Sequence, residues 1–215
     1  MKAVLGLSLA LLAVPPAQAQ MPGGAVAFRA AAELKRVGAC LYNKYRGQSV
    51  ALLNSAPGSS EEASAVYSAR AHFNNCLSDD VAGISPDVTE LRGAIAEAAY
   101  RATHPTDPDF SKIDHAQLPL PAAWTGGKVD PSALAGPDFA QCAVAADPQN
   151  AVALIRTEPR SPEEKAAIRQ LAPLLGSCVV KDSKLTLDAA FLRALLSQAL
   201  YRSVPAWQPA AMKKN

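Results

Sequence analysis

The sequence predicts an all-α protein made of two homologous helical units, each stapled by a disulfide and joined by an irregular, Pro-rich connector. Three observations carry this. Apolar residues recur at spacings of three and four, which gathers them on one helical face. No run alternates with period two for long enough to argue a sheet. The chain also matches itself: at an offset of 102 positions, Cys40 and Cys76 fall on Cys142 and Cys178, each pair 36 apart.

The same offset brings Val50-Ala51-Leu52 onto Val152-Ala153-Leu154, Pro57 onto Pro159, Ser59 onto Ser161, and Glu61-Glu62 onto Glu163-Glu164. After one deletion the offset is 101, and Leu91-Arg92 and Tyr100-Arg101 meet Leu192-Arg193 and Tyr201-Arg202. The two units span residues 28–102 and 137–203.

Ahead of them, residues 1–19 read as a secretory leader: Met1-Lys2, an apolar run over 3–14, and the small-residue end Ala17-Gln18-Ala19, with cleavage after Ala19. The run is shorter than the roughly 20 residues a bilayer span needs, and no other segment approaches that length. The expected location is the periplasm or the outside of the cell.

In the first unit, Leu34, Val37 and Leu41 stripe a helix that carries Cys40. A short helix over 50–53 follows. The third helix opens on Ser59-x-x-Glu62, a capping box in which the hydroxyl accepts the N3 amide proton and the carboxylate reaches back. Its face runs through Val66, Ala69, Phe73 and Cys76. The last helix opens at Ser85-Pro86-Asp87 and buries Leu91, Ala94, Ile95 and Ala98.

The second unit repeats this order. Its first helix starts near Pro137 and carries Phe139 and Cys142; Asp147-Pro148 announces a short helix over 152–155. A capped helix then runs from Ser161 through Ile168, Leu171, Leu175 and Cys178. Pro162 takes its first position, where a missing N–H costs nothing. The last helix opens at Thr186-Leu187-Asp188, with Leu192, Leu195, Leu196 and Ala199 inward.

The connector, residues 103–136, holds Pro105, Pro108, Pro119, Pro121, Pro131 and Gly126-Gly127, a composition that opposes helix interiors and central strands. Trp124 within it is expected to dock into a unit or between the two, because an exposed Trp wastes a large apolar surface. Residues 204–215, with Pro205, Trp207 and Pro209, read as a flexible tail.

Four cysteines in an exported chain imply disulfides, and four allow three pairings. Duplication copies a bond with its unit, which favours Cys40–Cys76 and Cys142–Cys178.

Composition excludes several functions. Twenty-one Lys and Arg against nineteen Asp and Glu leave +2, with none of the basic excess of a nucleic-acid binder. An apolar share of 49% is too high for a disordered chain. No nucleophile elbow, phosphate loop, dinucleotide fingerprint or zincin motif appears. Helix-start electrostatics account for the paired glutamates. His104, Asp107, Asp109 and His115 in the connector form the densest set of possible ligands, and metal-assisted hydrolysis there is the enzyme alternative. The spacing matches no known ligand pattern, so the expectation is no enzyme and no cofactor.

The repeated Tyr-Arg ending is the remaining signal. Tyr100 and Tyr201 fall about 180° from Leu91 and Leu192 on a 3.6-residue wheel. With Arg101 and Arg202 beside them they form a candidate interaction surface, of a residue type favoured at interfaces, to which Trp124 adds.

Taken together, Cys … Pro-x-Ser-x-Glu-Glu … Cys … Leu-Arg … Tyr-Arg resembles small exported helical tandem-repeat proteins of high-GC Gram-negative bacteria. The resemblance covers the two units and implies export and tandem helices, with no activity to carry over. The expected function is a non-catalytic binding module of the cell envelope with a protein partner. A helical pocket for a small apolar ligand or lipid, with Trp124 as lid, is the second binding reading, and a purely structural envelope protein the third.

Overall fold

Eight α-helices, one 3-10 turn and no strand form among the described residues of the computed structural model. These are residues 23–79, 81, 84–110, 128, 130, 133–179, 185 and 187–207. The first half contains α1 (Gly23–Lys44), α2 (Arg46–Asn54), α3 (Ser60–Ala71), the 3-10 turn Asn74–Cys76 and α4 (Val88–Thr103). The second contains α5 (Ala135–Ala146), α6 (Pro148–Arg156), α7 (Pro162–Cys178) and α8 (Ala189–Trp207). Each half is thus a long helix, a nine-residue helix, a capped helix and a final long helix.

α4 and α8 pack on each other at the centre, with α1 against α4 and α5 against α8. Glycine permits the two close crossings. A methyl on Gly38 would stand 2.4 Å from the carbonyl oxygen of Ala94, and one on Gly93 would stand 2.4 Å from the Cα of Ala194. Two apolar cores result. Val37, Leu41, Leu52, Leu91 and Ile95 centre the first; Phe139, Val144, Leu154, Leu171 and Leu196 centre the second. Alignment of apolar faces at helical period is what buries them.

The caps follow the sequence with one difference. Ser59 and Ser161 accept from the N–H of Glu62 and Glu164. The glutamates reach back one residue further than a capping box requires. Glu62 Oε2 accepts from Gly58 N–H at 2.7 Å, and Glu164 Oε2 from Arg160 N–H. Gly58 and Arg160 both have positive φ, 74° and 62°, which turns these N–H groups toward the carboxylates. Only Asp87 and Glu90, at the start of α4, close the box in both directions.

Cys40 bonds Cys76 and Cys142 bonds Cys178, with Cα separations of 5.7 and 5.5 Å, as the repeat predicts. Stable disulfides belong to an oxidising, extracytoplasmic compartment. No helix among the described residues is long and apolar enough to cross a membrane.

Two expectations need correction. Phe73 and Cys76 lie beyond α3, which ends at Ala71; His72-Phe73-Asn74-Asn75 turns into the 3-10 segment, because asparagine hydrogen-bonds locally in preference to continuing a helix. α7 by contrast continues to Cys178, carrying Pro173 inside it. The tail does not begin at 204: the backbone of α8 stays helical to Trp207. Pro205 lies in its last turn, where it removes a single N–H from the ladder. The leader over 1–19, most of the connector from 111 to 132, and residues 208–215 lie outside the described residues, and with them Trp124 and His115.

Candidate functional site

The repeated Leu-Arg dipeptide explains itself first. Arg92 is 3% exposed and its guanidinium caps the end of α2. Nε donates to the Leu52 carbonyl at 3.0 Å, Nη2 to the Ser55 carbonyl at 2.6 Å, and Nη1 to Glu62 at 2.6 Å. Arg193 repeats this in the other half. It donates to the carbonyls of Leu154, Ile155 and Thr157 at the end of α6, and to Glu164 at 2.9 Å. In both halves an arginine satisfies the orphan carbonyls of a short helix and ties them to the glutamate that starts the next.

Arg193 does one thing more. Its Nε and Nη2 form a fork onto both oxygens of Glu97, at 2.7 and 3.0 Å, and so bind α8 to α4. Arg101 adds to the same carboxylate at 3.2 Å. Burial works against the charge of Arg193, but Glu97 and Glu164 outweigh it and the guanidinium holds its proton more tightly than usual. For Arg92, burial wins over Glu62 and the value falls.

The Tyr-Arg ending is not an outward surface. Tyr100 is fully buried, and its ring belongs to the core of the second half. It stacks on His104 at 4.9 Å, with the Arg156 guanidinium 5.9 Å from its centroid. Tyr201 packs reciprocally against the core of the first half. Arg101 donates to the Ile155 carbonyl across the same junction. Arg202 is half-buried, and burial together with the Arg92 charge lowers its pKa to about 10. The helical wheel points these residues away from their own stripe, as read from the sequence. What lies there is the other half of the molecule rather than solvent, because α4 and α8 pack together.

The described members of the connector set, His104, Asp107 and Asp109, are also committed elsewhere. Asp107 pairs with Arg156 at 2.8 Å. The His104 ring lies 3.0 Å from the Thr103 hydroxyl, and burial holds its pKa below the usual histidine value. Asp109 has a partner of its own. Among the described residues no group of three His, Cys, Asp or Glu is placed to hold a metal ion.

A groove of about 940 Å³ remains. It runs between α1, Val81 and residues 84–86, α4, residues 159–165 and α8. Its size is that of small-molecule sites, about 300–1,000 Å³. Ala31, Gly93, Ala94, Ala190 and Ala194 give it apolar walls, and the Glu97–Arg193–Glu164 network borders it. Ser197 lines it from α8, fully buried, with no hydrogen-bond partner for its Oγ. A buried hydroxyl without a partner costs roughly 1–3 kcal/mol.

The acids on this lining are all engaged. Glu97 and Glu164 hold Arg193, while Glu90 and Asp188 accept from the cap amides of Asp87 and Phe191 at 3.0 and 2.8 Å. Lys35 is paired with Glu158 at 2.6 Å. The exposed side chains of Arg29, Arg160 and Lys165 have no partner among the described residues. A second groove, about 740 Å³, lies between α2 and α3, where Ser64 and Ser68 satisfy their hydroxyls on carbonyls four residues back.

No protein-family model matches this chain, and no curated protein or solved structure is detectably similar to it. Sequence reasoning did not anticipate Glu97, Ser197 or Arg160 as site residues. Arg160 had a readable signal: at the offset of 102 it replaces Gly58.

Proposed function

We propose that this protein is an exported, non-catalytic helical binding protein that takes a small, largely apolar ligand in the groove over the α4–α8 crossing. The observation that carries this is the groove itself: ligand-sized, and lined by the small, partly exposed side chains of Ala31, Ala94 and Ala190 together with Leu34 and Ile84. Large side chains would fill such a space; alanine keeps it open at some cost in buried apolar area. The competing idea, a protein partner docking on Tyr100, Arg101, Tyr201 and Arg202, loses its support because Tyr100 is buried, Tyr201 packs against the core of the first half, Arg101 bonds the second half and Arg202 is half-buried. The periplasm, or the medium after cleavage near Ala19, is the compartment consistent with the leader and the two disulfides.

The test is titration of the purified mature protein with N-phenyl-1-naphthylamine, an uncharged apolar fluorophore. Saturable one-to-one binding is expected. Ala190→Leu, which extends a partly exposed wall residue into the groove, is expected to weaken it by about tenfold or 1.4 kcal/mol. Binding that ignores this substitution, or none at all, rejects the groove.

A further inference from the structure

We infer that the ligand of this groove carries an anionic head, a carboxylate at the end of an apolar chain, and that Arg160 on the rim receives it, with Lys165 beside it. This deepens the reading above and rests on it. Two observations point to Arg160, the first shared with Arg29 and Lys165 and the second its own. Its side chain is exposed on the groove lining and has no partner among the described residues, whereas every acid on that lining is already engaged. Its backbone also has φ 62°, a left-handed conformation that a Cβ disfavours.

The fold does not need an arginine there. The corresponding turn in the first half has the same hydrogen bond to its glutamate, and glycine occupies it, Gly58 with φ 74°. A strained residue kept where glycine serves the backbone points to a use for its side chain. Lys165, one turn into α7, lines the same groove. An incoming carboxylate thus meets guanidinium and ammonium donors that no described residue engages, the charge-assisted pairing that holds anions best. Its chain lies along Ala31, Ala94 and Ala190.

Equilibrium dialysis with dodecanoate, dodecanol and dodecyltrimethylammonium, each below its micelle concentration, tests this. Dodecanoate is expected to bind about tenfold tighter than dodecanol, and the cation weakest. Arg160→Gly separates function from structure. It relieves the backbone, so Tm rises, and it removes most of the preference for dodecanoate while dodecanol binding is unchanged. Lys165→Gln is expected to act in the same direction without the gain in Tm. Equal affinity for dodecanoate and dodecanol, or a preference untouched by Arg160→Gly, overturns the head-group assignment and leaves the groove reading standing. Failure of all three probes to bind, together with no fluorophore uptake, overturns both. Co-sedimentation with phosphatidylglycerol vesicles without uptake of free dodecanoate also counts against a free carboxylate.

Discussion

One guanidinium, that of Arg193, joins four segments: α8 itself, the end of α6, the start of α7 through Glu164, and α4 through Glu97. Replacing it with methionine keeps the volume and strands two carboxylates whose side chains are 4% and 3% exposed. Breaking a buried pair in this way costs about 3–5 kcal/mol, and Arg193→Met is expected to lose that much in urea denaturation. Arg92→Met is expected to lose less. Its carboxylate partner, Glu62, is 14% exposed and can turn to water. Lysine is no substitute at either position, since one point charge cannot serve several carbonyls and a carboxylate as a planar fork does. Equal losses at the two positions would contradict the ranking.

At the scale of the helix, two glycines have opposite consequences. Gly93 lies where α4 crosses α8, and a methyl there would stand 2.4 Å from the Cα and Cβ of Ala194. The backbone cannot step aside without opening the central pair. Gly93→Ala improves helix propensity by about 1 kcal/mol, and overpacking against backbone costs about 1–3 kcal/mol or more; Tm is expected to fall. Gly176, in α7, has nothing within 4 Å of the position its methyl would take. Gly176→Ala is therefore expected to raise stability by about 0.5–1 kcal/mol. A thermal melt of each variant decides the matter, and a rise in Tm for Gly93→Ala would refute the close crossing. The helices themselves were readable in advance, since period, caps and Pro162 are local features. The end of α3 was not, because the apolar period continues through Phe73 after the backbone has left the helix.

Across the whole molecule, Tyr100 and Tyr201 are exchanged: each leaves its own half to pack in or against the core of the other. The Glu97–Arg193 fork and the Lys35–Glu158 pair cross the same junction. Neither half can lose its structure without exposing apolar surface of the other. Calorimetry is expected to give one transition with equal calorimetric and van't Hoff enthalpies, the mark of two-state unfolding. Tyr100→Ala, though in the first half, is expected to lower that single transition by about 3–5 kcal/mol. Each disulfide closes a separation of 36 residues, worth about 4 kcal/mol in chain entropy. Reduction of both then removes an amount comparable with the total stability of a small domain, about 5–15 kcal/mol. Two resolved transitions, or a melt insensitive to reductant, would show that the halves are independent or that the bonds matter little.

The short helix expected over 50–53 begins four residues earlier, at Arg46, where no side chain caps it. Otherwise the sequence by itself determined the helices, the capped starts of α3, α4 and α7, the disulfide partners and the register between the two halves. All of these rest on interactions within a few residues or on a spacing that is present twice. The wheel correctly turned Tyr100 and Tyr201 away from Leu91 and Leu192, but it carries no information about what a second face meets. Only the packing of α4 on α8 decided that the face meets the other half, so a candidate surface became an internal clasp. The groove is of the same kind. Its lining comes from five separate segments between Arg29 and Ser197, and no local pattern connects them. The left-handed turn at Arg160 was legible only as an alignment with Gly58; that an arginine is held there was decided by the contacts around it, here the hydrogen bond to Glu164 that the first half makes with glycine.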